Sequence, residues 1–196
     1  MTVIIDTGCA NINSLRLALE RLGDTPTVSA DSGIIQSADR LLLPGVGAAG
    51  YAMAVIQDRG LDKTLTSIKQ PLLGICLGMQ LLGSFSEEGS ISCLNLIPAK
   101  TLEIKTSGER LPHMGWNTLS VVSDHPLLYG IDVGSYFYFV HSYAMPISGS
   151  TTAISVYGQP FTAALANDNI MGVQFHPERS GEQGAKLLKN FLDIKL

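Results

Sequence analysis

Charge is scarce in these 196 residues: Asp, Glu, Lys and Arg together make up 15%, and no block of like charges occurs anywhere along the chain. Without such a block there is no electrostatic arm for an anionic membrane surface. The small imbalance is acidic, with 17 acids against 13 bases and a net charge of −4, and the sequence pI is near 5.5. Nucleic-acid binding needs the opposite, a basic face. Cysteine is also scarce. Cys9, Cys76 and Cys93 are an odd number with no C-x-x-C pair, which excludes a disulfide framework and a metal site of the zinc type and leaves a reduced, cytoplasmic setting as the expectation. Uninterrupted apolar runs are missing too. The two long uncharged stretches, residues 41–57 and 70–86, are broken by Pro44, Gly45, Gly47 and Gly50, and by Pro71, Gly74, Gly78 and Gly83. A spanning helix does not carry so many breakers, whereas buried strands running into turns and helices do. The N-terminus has no basic region and has an acid at Asp6, so it reads as a first strand rather than a signal peptide.

What is present is a globular balance, 45% hydrophobic, in a length suited to one domain over residues 1–196. Its first half alternates short apolar runs with helical patterns. Residues 3–6 form a strand, and 11–22 a helix with Leu15, Ala18, Leu19 and Leu22 on one face. A strand over 40–43, ended by Pro44-Gly45, leads to a helix over 49–57; a strand over 72–75 leads to a helix over 77–82. From Ile97 the pattern turns β-rich, with strands expected at 101–104, 118–122, 136–140, 152–157, 162–166 and 170–175. A helix over 180–194, capped by Ser180, closes the chain. The implied fold is α/β: a mainly parallel central sheet flanked by helices, with additional antiparallel strands.

The strongest local signal is Gly74-Ile75-Cys76-Leu77-Gly78, a nucleophile between a buried strand and a helix with a glycine two residues to either side. Such an elbow lifts a side chain over a helix N-terminus, where the dipole favours the reactive thiolate. Taken alone, Cys76 is equally well a small buried core cysteine; Cys9 and Cys93 lack these flanks and read as structural. The second signal is His176-Pro177-Glu178. If the chain stays extended, as the proline favours, both side chains point to one side and the carboxylate fixes the imidazole tautomer. Alone, the pair reads as a surface histidine with an incidental acid; beside a cysteine elbow it reads as an acid/base. Pro44-Gly45-Val46-Gly47 stands at another strand end, where backbone N–H groups can join that of Leu77 in binding an oxyanion. His113 and His125, next to loop prolines, are expected at the surface, and His141 as a residue that shapes a pocket.

These residues resemble the class I (triad) glutamine amidotransferases over essentially the whole chain. Gly74-Ile75-Cys76-Leu77-Gly78-Met79-Gln80 is similar to their nucleophile motif, and His176-Pro177-Glu178 to their His–Glu pair. Met79, Pro112-His113-Met114-Gly115-Trp116-Asn117 and Tyr138-Phe139-Val140-His141-Ser142-Tyr143 resemble, within that family, the amidotransferase subunits of imidazole glycerol phosphate synthases. Another branch of the family, or a free-standing γ-glutamyl hydrolase, is the alternative. The resemblance implies a flavodoxin-like fold, L-glutamine as substrate, and no cofactor. It implies Cys76 as nucleophile, His176 as acid/base and Glu178 as its orienter. Gln80 and the backbone around Gly45, Val46, Gly47, Ser142 and Tyr143 would contact glutamine. Asn11, Met114, Trp116, Tyr138 and Arg179 would face a cyclase partner in a heterodimer. Two departures stand out: Ala10 where the family usually has glycine, and Arg179 where lysine is common.

Overall fold

The computed structural model describes residues 1–8 and 10–194; the structural role expected of Cys9 lies outside them. The first half reads β1 (Thr2–Ile5), α1 (Ile12–Arg21), β2 (Thr27–Ser29), α2 (Ser32–Gln36), β3 (Arg40–Gly45), α3 (Ala49–Asp58), α4 (Leu61–Leu65), β4 (Leu72–Cys76) and α5 (Leu77–Leu82). The second half reads β5 (Phe85–Ser86), β6 (Ile91–Ser92), β7 (Lys100–Glu103), β8 (His113–Thr118), β9 (Val121–Val122), β10 (Tyr136–His141), β11 (Tyr143–Ala144), β12 (Thr151–Tyr157), β13 (Gln159–Asn167), β14 (Ile170–Val173) and α6 (Gly181–Asp193). Among the described residues no helix is long and apolar enough to cross a membrane.

An eight-stranded sheet in the order β2-β1-β3-β4-β14-β13-β12-β9 forms the centre. Its first five strands are parallel, and β13, β12 and β9 continue it antiparallel. The apolar runs of the parallel strands are buried on both faces and divide by alternation. Ile4, Leu42 and Leu73 join α1, α6 and a phenylalanine cluster of Phe137, Phe139 and Phe175 on one side. Val3, Ile5, Leu41, Leu43 and Leu72 join α3, α4 and α5 on the other.

Three expectations need correction. Pro44-Gly45 does not end β3; the strand continues through both, with Pro44 opposite Ile75 and Gly45 opposite Cys76. β1 pairs with β3 only as far as Leu42, so Pro44 has one neighbouring strand and its missing N–H is tolerated. The strand expected over 118–122 is two: β8 takes in the whole His-Met-Gly-Trp-Asn stretch and pairs with β10, and β9 is a separate edge. Ser180 occupies the N-cap position of α6 but makes no side-chain cap. Its Oγ donates to the His176 carbonyl at 2.6 Å and accepts from the Tyr138 N–H at 3.0 Å. It therefore ties down the segment that carries His176.

The β4–α5 turn is held by close packing. A Cβ on Gly78 would lie 1.7 Å from the Leu43 carbonyl oxygen, and one on Gly45 would lie 2.8 Å from the Gly78 nitrogen. The backbones of β3 and α5 touch there, so neither can yield to a methyl group. Gly78→Ala is expected to cost about 4 kcal/mol or more, in the range reserved for severe core defects. Gly50→Ala, in α3 with open space around it, should instead gain up to about 1 kcal/mol. Denaturant titration of the two variants checks the contrast.

Candidate active site

Parallel strands carry sites where their C-terminal ends meet, and here β3, β4 and β14 end side by side. Cys76 closes β4 and opens α5. Its backbone sits at φ 53°, ψ −112°, a left-handed strain that a non-glycine residue keeps only when the surroundings impose it. The thiol is thereby turned out of the sheet toward a cavity of about 280 Å³. That cavity is lined by Val46, Gly47, Cys76, Leu77, Gln80, Glu88, Pro112, Val140, His141, Ser142, Tyr143 and His176. Every residue expected to touch glutamine is among these except Gly45, which lies behind the site against α5. Gly47 has φ +91°, a conformation that glycine adopts readily and other residues do not.

His176 and Glu178 are brought together differently from the extended arrangement the sequence suggests. Pro177–Arg179 is a 3₁₀ turn with proline at its start, where its missing N–H costs nothing. Glu178 Oε1 accepts from His176 Nδ1 at 2.8 Å, with both side chains 6% exposed. That bond fixes the proton on Nδ1 and leaves Nε2 directed elsewhere. Nε2 is buried and has no hydrogen-bond partner of normal geometry, although it lies close enough to Cys76 for each to act on the other's charge. Burial alone would lower the imidazole, but the interactions with Cys76 and Glu178 outweigh it and raise its pKa to about 10. The surroundings of the ring therefore favour its cationic form. Cys93 differs: burial raises its thiol to about 11, the inert state of a structural cysteine.

The histidine expectations divide. His113 is not at the surface; it is 3% exposed because β8 begins at this residue and turns it inward. Its ring stacks on Tyr157 at 4.1 Å and on Phe139 at 5.0 Å, and its Nδ1 bonds His141 Nε2 at 3.0 Å. Burial pushes His113 down to about 4 and His141 to about 3, so both are neutral. His141 lines the cavity, as expected. His125 is half-buried and accepts the Leu127 N–H at 3.2 Å.

The five residues expected to face a partner do not line the Cys76 cavity. Asn11, Met114, Trp116 and Arg179 are exposed, and Tyr138 is half-buried. Trp116 and Tyr138 meet edge to face at 6.2 Å, and the Arg179 guanidinium lies 5.8 Å over the Tyr138 ring. Asn11 also caps α1, and it borders a small cavity that touches His176 and Glu178. Sequence reasoning missed Glu88, whose carboxylate reaches the cavity rim and accepts the Ala49 N–H at 2.8 Å. No local pattern marks it, because a turn after β5 brings it there.

With this geometry in view, comparison with known proteins is direct. The family described as Glutamine amidotransferase class-I matches residues 3–194. The chain is 53% identical to "Imidazole glycerol phosphate synthase subunit HisH" of Photobacterium profundum, over 98% of this chain and 96% of that protein. It is 51% identical to the protein of the same name from Vibrio cholerae, over 98% of each. Among solved structures, a glutamine amidotransferase superposes with a TM-score of 0.76 at 16% identity, covering 97% of both chains. Another, from Thermotoga maritima, gives 0.66 at 16% identity, covering 98% of this chain and 82% of that one. The chain belongs to the class-I glutamine amidotransferase family.

Proposed function

We propose that the chain is the glutaminase subunit of an imidazole glycerol phosphate synthase, hydrolysing glutamine at Cys76 and delivering the ammonia to a cyclase subunit. One observation carries the chemistry: Cys76 on its strained turn shares a cavity with an imidazole already paired to Glu178. Near-half identity along the full length to proteins of that name supports the pathway.

In this reading the Cys76 thiolate attacks the side-chain amide carbon of glutamine. The oxyanion accepts hydrogen bonds from the N–H groups of Leu77 and of the Val46–Gly47 segment. His176 enters as an imidazolium and gives its proton to the leaving nitrogen, so ammonia departs and a γ-glutamyl thioester remains. Now neutral, His176 takes a proton from water as the water attacks the thioester, which releases glutamate and restores the ion pair. Glu178 holds the ring and offsets its charge throughout. Glu88 supplies a carboxylate suited to the substrate's α-ammonium group. Ammonia stays a nucleophile only while unprotonated, so it must pass to the cyclase without entering bulk water. Asn11, Met114, Trp116, Tyr138 and Arg179 form the surface for that partner.

A glutaminase acting alone would waste glutamine, and the Val46–Gly47 peptide is where control is cheapest. Loss of one oxyanion donor costs roughly a hundred- to a thousandfold in rate, so reorienting one peptide N–H suffices as a gate. The test is co-purification with a (β/α)₈ cyclase, followed by glutamate release from the chain alone, the complex, and the complex with its nucleotide. Rates rising by about a hundredfold or more across the series are expected. Equal rates in all three remove the gate, and failure to associate with the cyclase favours another branch or a free-standing hydrolase.

A further inference from the structure

The structure points to a further group on the nucleophile, and we propose that the side-chain amide of Gln174 donates a hydrogen bond to the Cys76 sulfur and stabilises its thiolate, with Gln80 as the residue that positions it. The proposal rests on Cys76 being the nucleophile.

Sheet register brings the two residues together. β14 runs parallel to β4 with Gly172 opposite Gly74 and Val173 opposite Ile75, so Gln174 follows beside Cys76. Gln174 is fully buried, and its Nε2 lies 3.7 Å from Cys76 Sγ. An amide can be turned either way in its density of neighbours, but here the network leaves one orientation. The Tyr143 carbonyl can only accept, and Gln80 faces it at 2.9 Å; that atom of Gln80 must therefore be its NH₂. The same NH₂ faces Gln174 at 3.0 Å, which requires the Gln174 oxygen there and leaves the Gln174 NH₂ toward sulfur. The Tyr143 carbonyl is itself held from the other side by His141 Nδ1 at 2.9 Å. The chain of bonds is thus anchored on backbone at one end and on the nucleophile at the other.

The sulfur has a competing neighbour. The Val140 carbonyl, also at 3.7 Å, accepts from the thiol and so favours the protonated form. An N–H donor favours the thiolate, and bonds to an ionised acceptor are roughly twice as strong as neutral ones. At equal distances, Gln174 outweighs Val140 once the sulfur is charged. Unlike the imidazole of His176, a buried amide is a donor whose own charge does not change during the cycle. When His176 has given up its proton, Gln174 still holds the sulfur as a leaving group for the second half-reaction. The other titratable groups facing the sulfur's cavity are His176, with Glu178 behind it, His141, Glu88 and Tyr143. The proposal adds to their effect and does not replace it.

The test is the pH dependence of Cys76 alkylation by iodoacetamide in a Cys9→Ala/Cys93→Ser background, together with glutamine kinetics of the cyclase complex. Gln174→Met keeps an unbranched shape and removes the donor. Its alkylation profile should move about one pH unit alkaline, which is tenfold less thiolate on the low-pH side, and kcat should fall about tenfold with KM little changed. Gln80→Leu should shift the profile in the same direction by less. A folded Gln174→Met with the wild-type profile overturns the proposal. In the unsubstituted protein, the Gln174 side-chain amide proton shift should follow the Cys76 titration by NMR; a flat response overturns it without any substitution. If Cys76→Ala were to keep glutamine hydrolysis, the functional reading fails instead, and the two failures are distinct.

Discussion

Cys76→Ala is expected to lower glutamine-dependent activity of the cyclase complex by at least roughly a thousandfold, since losing the nucleophile of a covalent mechanism leaves only binding and oxyanion stabilisation. The same complex should still make product from ammonium salts, because the acceptor chemistry belongs to the partner. Among the described residues no other thiol lines the cavity. Cys93 lies outside the cavity and is held protonated by burial, so Cys93→Ser should retain most activity. Glutamate release and product formation, each assayed with glutamine and with ammonium, separate the two half-reactions. Appreciable glutamine-dependent turnover in Cys76→Ala would contradict the assignment.

His176→Ala should be nearly as damaging, and Glu178→Gln milder. The imidazole moves both protons of the cycle, whereas the carboxylate keeps the ring oriented and charged through one bond of 2.8 Å. Because the residues act as a unit, Cys76→Ala/His176→Ala should be little worse than Cys76→Ala alone. The sign of the pH effect follows from the His176 pKa of about 10. Below that pH the ring is cationic and favours the thiolate beside it, so removing the ring should move Cys76 alkylation to higher pH. Glu178→Gln weakens the cation and should move it the same way by less. A Glu178→Gln variant more impaired than His176→Ala would reverse the assigned roles.

The sequence made the elbow legible because its constraints are local. Two glycines, a buried strand and a helix start fall within five residues, and the structure adds only why the spacing is needed: a Cβ at Gly78 would collide with Leu43. The His–Glu pair was legible as a pair but not in its geometry. Pro177 disfavours helix in the residue before it, yet it starts a 3₁₀ turn itself, and Glu178 reaches Nδ1 from that turn. The parallel half of the fold read well because its strands are buried on both faces and run straight into helices. The antiparallel half read less well. There β8 buries the polar His113 and exposes the apolar Met114 and Trp116, so hydrophobic alternation does not mark its inner face. His113 reads as a surface residue because it follows Pro112, whereas β8 begins at this residue and buries it. Glu88 and Gln174 could not be found by spacing, since one arrives through a turn after β5 and the other through sheet register.

The account turns on covalent capture at one sulfur. Incubating the cyclase complex with an electrophilic glutamine analogue, then measuring intact mass and mapping the modified peptide, tests it most directly. The expected result is a single adduct on Cys76, prevented by excess glutamine and slowed strongly in His176→Ala. An adduct on Cys93 in its place, or labelling of Cys76 indifferent to glutamine, would contradict it.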